Sequence, residues 1–68
     1  MIEYTVHFQK GRRVGARATH MVHVEAEGVN EAIRKGKAEH KAVFGDDASN
    51  FRLVRVDHFE DYRIVRDF

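Results

Sequence analysis

Sixty-eight residues with 12 Lys and Arg against 11 Asp and Glu, a net charge of +1, make one domain over 1–68. That charge balance by itself selects neither nucleic acid nor any other partner. Cys is absent, so disulfides and thiolate metal sites are excluded, and no apolar run approaches the roughly 20 residues of a membrane span.

The first element is a β-hairpin over residues 2 to 26. Ile2, Tyr4, Val6 and Phe8 alternate with Glu3, Thr5, His7 and Gln9, the period of a half-buried strand. His20, Val22, Val24 and Ala26 alternate in the same way with Thr19, Met21, His23 and Glu25. A slip of one residue would send one apolar set to solvent, so matching the faces predicts the register. It pairs Ile2 with Ala26, Tyr4 with Val24, Val6 with Val22 and Phe8 with His20. Continued outward, it leaves Arg13-Val14-Gly15 as a three-residue loop with Gly15 at the left-handed position. The tip carries Lys10, Arg12, Arg13 and Arg17, with no acid until Glu25.

Gly28 ends the second strand. Asn30 is the expected helix N-cap, with Glu31 near the positive end of the dipole, and the helix should run from Glu31 to Val43 or Phe44 before a Gly45 C-cap. Val29, Ile33, Gly36, His40, Val43 and Phe44 form its apolar stripe, with Ala32 at the edge. Gly36 costs about 1 kcal/mol of helix propensity, and its place on the stripe suggests either close approach of helix to sheet or a simple weak spot. Arg34, Lys37 and Lys41 line one flank, three and four residues apart.

Asp46 to Asn50 reads as a polar loop, Phe51 to Phe59 as a strand, Glu60-Asp61 as a turn and Tyr62 to Phe68 as a fourth strand. Both faces of these last segments carry apolar residues, which leaves their register open. The expected fold class is α+β: a small antiparallel sheet with one helix packed on one face, in the order ββαβ or ββαββ. A chain this short buries only about 60% of its unfolded surface. Phe51, Leu53, Phe59, Tyr62, Ile64 and Phe68 cannot all fit beneath one short helix. They form either an irregular core or a surface for homo-oligomers built through the C-terminal strands.

Catalysis finds little support. Ser49, Thr5 and Thr19 lack an evident base, the acids near Asp57, Glu60 and Asp61 suit a polar strand end, and no phosphate-loop glycine pattern is present. No catalytic residue, cofactor or metal ligand is therefore assigned. Five histidines do not match a zinc spacing. His7 and His23 share the outer sheet face, whereas His20 and His40 face the core, where local hydrogen bonding would make stability pH-sensitive. The cationic tip is a candidate contact for phosphates or an acidic protein face, and equally a solvated turn. Exposed aromatics that could stack on bases are missing beside it, because Tyr4 and Phe8 are assigned to the core.

In the run from Val24 to Ile33 (VEAEGVNEAI), followed by a strand such as Phe51 to Val56 (FRLVRV), the chain resembles small phage and mobile-element proteins, including some anti-CRISPR inhibitors. The resemblance is one of element order over most of the chain and carries no functional residue across. It implies a non-enzymatic protein that blocks or redirects a host macromolecule. The leading expectation is thus a binding module that docks on a larger macromolecule through Lys10, Arg12, Arg13 and Arg17, with Arg34, Lys37 and Lys41 as further contacts. A direct nucleic-acid binder, in dimeric form, is the alternative, and a structural or assembly protein is the second. Partners are a protein complex or nucleic acid rather than a membrane. No signal-peptide pattern follows Met1, so the expected location is the cytoplasm, that of the host cell if the chain is phage-encoded.

Overall fold

The computed structural model describes residues 1–10 and 18–68. The chain forms β1 (Ile2–Lys10), β2 (Ala18–Ala26), α1 (Val29–Phe44), a short 3₁₀ helix (Gly45–Asn50), β3 (Phe51–His58) and β4 (Ile64–Asp67). The fold is α+β: the strands make one antiparallel sheet in the order β2-β1-β3-β4, with α1 on one face. No helix among the described residues is long and apolar enough to cross a membrane.

The β1–β2 register is the one that the apolar faces demand, from Ile2 opposite Ala26 to Lys10 opposite Ala18. Tyr4, Val6, Phe8, Val22, Val24 and Ala26 are buried against Ala32 of the helix and Val56 of β3. The anticipated loop at Arg13-Val14-Gly15 lies outside the described residues. β3 pairs with β1 through a shift between His7 and Phe8, and β4 pairs with β3 through a second shift between Val56 and Asp57. Such bulges insert an extra residue and break strict alternation, which is why two-sided apolar content left this register open.

The helix starts earlier than Asn30 suggests. Gly28 is the N-cap, with no side-chain cap bond, and the Ala32 N–H donates to the Gly28 carbonyl at 3.0 Å. Glu31 reaches back instead, accepting the Glu27 N–H at 3.0 Å, so the turn is closed from inside the helix rather than by Asn30. Asn30 Oδ1 accepts from Arg66 of β4 at 3.2 Å, linking the helix start to the far edge strand. At the other end Gly45 takes φ +58° and its N–H donates to the Lys41 carbonyl. The buried stripe is Ala32, Gly36 and His40, while Val43, expected on it, is exposed. A Cβ on Gly36 would sit 2.9 Å from Val6 Cβ, so the helix does approach the sheet closely at this point. The stretch expected as a polar loop, Asp46 to Asn50, lies within the 3₁₀ helix.

Candidate macromolecule-binding surface

The α1 helix lies mainly over β2 and β1 and runs toward the end of the sheet where Lys10 stands. Gly36 crosses Val6, and one turn on His40 stacks on Phe8 with ring centroids 4.2 Å apart. The C-terminal half of the helix therefore shares an end of the molecule with Lys10 and Ala18, between which the Arg-rich segment runs. Arg12, Arg13 and Arg17 lie outside the described residues.

Lys10 closes β1 opposite Ala18 on one side and Phe51 on the other. Its Nζ donates to both carboxylate oxygens of Asp47, at 3.1 and 3.3 Å, and sits 5.8 Å over the Phe51 ring. Asn50 donates to the same carboxylate at 2.7 Å. The Asn50 amide first, and Lys10 next, hold Asp47 below the usual carboxylate range. Lys10 is thus a tethered cation rather than a free one.

Lys37 and Lys41 are exposed on α1 and border one hollow of about 510 Å³ with Ser49 of the 3₁₀ helix, Phe51 and Leu53 of β3, and His40 at its floor. Arg34 stands apart from it, a turn nearer the helix start, with its guanidinium 3.6 Å from Glu31. The flank expected from sequence therefore divides: Lys37 and Lys41 join the Lys10 end, and Arg34 does not.

The floor of this end is a cluster of aromatic rings. His40 is 4% exposed and packed among Phe8, Phe44 and Phe51, and its Nδ1 lies 2.8 Å from His20 Nδ1. One ring must donate and the other accept along that contact. Burial, reinforced by the neighbouring His20, pushes the His40 ring below its ordinary pKa, and the Ala48 backbone and Asp47 pull the other way. Its Nε2 is buried without a completed hydrogen bond among the described residues.

A second cluster, on the opposite sheet face, was not legible beforehand. Asp57, anticipated as part of a polar strand end, is 5% exposed in the middle of that face. His7 Nε2 donates to its Oδ2 at 2.8 Å, and Arg55 Nε lies 3.0 Å from Oδ1 as an ion pair without hydrogen-bond directionality. His23, the other outer-face histidine, stacks on Phe59 at 4.0 Å and approaches Glu3 at 3.8 Å. The available signal was the alternation Arg55-Val56-Asp57, which puts Arg55 and Asp57 on the face opposite the buried Val56. Among the described residues no group of three or more His, Asp or Glu side chains is placed to hold a metal ion. Compared with protein-family models, curated proteins and solved structures, the chain matches none.

Proposed function

We propose that this chain is a small non-enzymatic binding module that docks on an acidic face of a larger protein complex and blocks or redirects it, as phage-type inhibitors do. The contacts are Arg12, Arg13 and Arg17, in the segment of sequence after Lys10, together with Lys37 and Lys41 of the helix. One observation carries the reading: Lys37 and Lys41 stand at the same end of the domain as Lys10, where the Arg-rich segment begins. Cations drawn from two separate stretches of chain then act on one partner surface, which favours fast, electrostatically steered association. A protein face is preferred over nucleic acid because Tyr4 and Phe8 are buried and Phe51 is half-buried beneath Lys10, leaving these rings no free face for a base.

Affinity capture from the native host tests this. Wild-type protein should retain one defined partner, and either Arg12→Glu/Arg13→Glu/Arg17→Glu or Lys37→Glu/Lys41→Glu should release it. Arg34→Glu should leave capture intact. Retention by both charge-reversed variants would place the contact elsewhere. A mobility shift with duplex or single-stranded DNA at low salt, with about one unit of log–log salt slope per neutralised phosphate, would replace the protein partner by nucleic acid.

A further inference from the structure

Two cations on α1 have no acid to answer them. Arg34 and Lys35 both lie 3.6 Å from the Glu31 carboxylate, and Lys10 is held by Asp47. Lys37 and Lys41, one turn apart and exposed, pair with no acid among the described residues. Asp46 borders the same hollow, one negative charge against their two positive ones. Beneath this rim the walls are apolar: Phe51 and Leu53 are half-buried, and Phe8 is 4% exposed. The ring faces are already taken. His40 stacks on Phe8 with His20 tilted against it, and Lys10, Phe44 and His40 surround Phe51. Ring edges and the Leu53 methyl groups are what remains for an occupant. At about 510 Å³ the hollow falls within the roughly 300–1,000 Å³ of small-ligand clefts.

We infer that this hollow holds the anchor of the partner protein: a branched aliphatic side chain with a carboxylate beside it. The inference rests on the docking reading above and names what the acidic face of the partner must carry. The aliphatic body lies against Leu53 and the edges of Phe8 and Phe51, and the carboxylate reaches Lys37 and Lys41. No existing ion pair has to break, because neither ammonium has one. Each half needs the other. A carboxylate alone meets exposed lysines in water, where a pair gains little. Burying an aliphatic group removes apolar surface from water and lowers the dielectric around the charges beside it. Lysine suits such a rim, because a point charge on a flexible stem can follow the carboxylate. Asp46 opposes the anchor and so limits its affinity. The same walls give a nucleobase no open ring face to stack on.

The chemistry is tested with 4-methylpentanoate, which joins the two halves in one molecule. Titrated into the full chain, it should shift the amide resonances of Lys37, Lys41, Ser49, Phe51 and Leu53. Acetate, which lacks the aliphatic body, and 4-methylpentanamide, which lacks the charge, should each bind several-fold more weakly. Asp46→Asn should tighten 4-methylpentanoate about two- to five-fold, the scale of one exposed charge. Lys37→Glu/Lys41→Glu should abolish the shifts. Ser49→Trp changes an exposed position and keeps both lysines while filling the hollow. It should retain the wild-type circular dichroism yet lose the probe and release the captured partner. Equal binding of the three probes, shifts confined to other surfaces, or weaker binding in Asp46→Asn would overturn the inference. So would a folded Ser49→Trp that keeps the partner while Lys37→Glu/Lys41→Glu loses it, a result that leaves the docking reading standing. Failure of that reading looks different: both charge-reversed variants keep the partner.

Discussion

His40 is pressed between Phe8 and Phe51 with its Nδ1 on His20, a position in which a positive ring loses its water and faces a second imidazole. The folded-state pKa is therefore lowered, against the opposing pull of the Ala48 backbone and Asp47; Lys37 and Lys41, on the rim of the same hollow, also bear on it. Below the ordinary value of 6.5 the unfolded chain binds a proton that the folded chain still refuses. The stability that this residue contributes is present above 6.5 and is lost as pH falls through the folded pKa. Urea midpoints should drop for wild-type protein between pH 7.5 and 5.5, about one pH unit either side of the imidazole range. In His40→Phe, which keeps the stacking partner for Phe8, the drop should be smaller, and an equal drop in both would assign it to other histidines. Gly36 is the second residue whose role is steric. Alanine gains about 1 kcal/mol of helix propensity in the abstract. Here the new Cβ meets Val6 Cβ and Cγ2 at 2.9 Å and Cγ1 at 3.0 Å, and Val6 is fully buried and too short to swing aside. Gly36→Ala should therefore destabilise by about 1–3 kcal/mol in urea titration, the range for overpacking.

Among the elements, the first hairpin was legible to the residue because both strands keep strict alternation and their apolar sets coincide in only one register. Val6 against Val22 and Phe8 against His20 follow directly. The β3 and β4 strands were legible as strands only. Two shifts of register, after His7 and after Val56, decide which of their apolar residues face inward. They leave Phe51 and Leu53 packed on the core, and Phe59, Tyr62, Ile64 and Phe68 exposed. The helix start shows a local rule overridden by another. Asn30 is the better cap by residue type, yet Glu31 takes the Glu27 N–H and Arg66 takes Asn30. Loss of a true cap costs about 1 kcal/mol. Asn30→Ala should accordingly lower the melting temperature less than Glu31→Ala does, and the reverse order would return the cap to Asn30.

At the scale of the whole molecule, the described residues form two layers, the sheet and the helix on one of its faces, and Val6 and Val56 are their largest fully buried side chains. A core this slight makes a covering partner energetically useful. Composition and alternation by themselves determined the α+β class, the ββαβ core of the element order, the hairpin register and the list of cations, whereas the fourth strand's place and the close approach at Gly36 needed the structure. The former are one-dimensional properties, set by which residues repeat at a period of 2.0 or 3.6. Only the tertiary structure decided that Lys37 and Lys41 stand with Lys10 while Arg34 does not, that Asp47 tethers Lys10, and that His7, Arg55 and Asp57 meet on the outer face. Each of those depends on helix direction or on a bulged register between distant segments, and neither is carried by the spacing of residues along the chain.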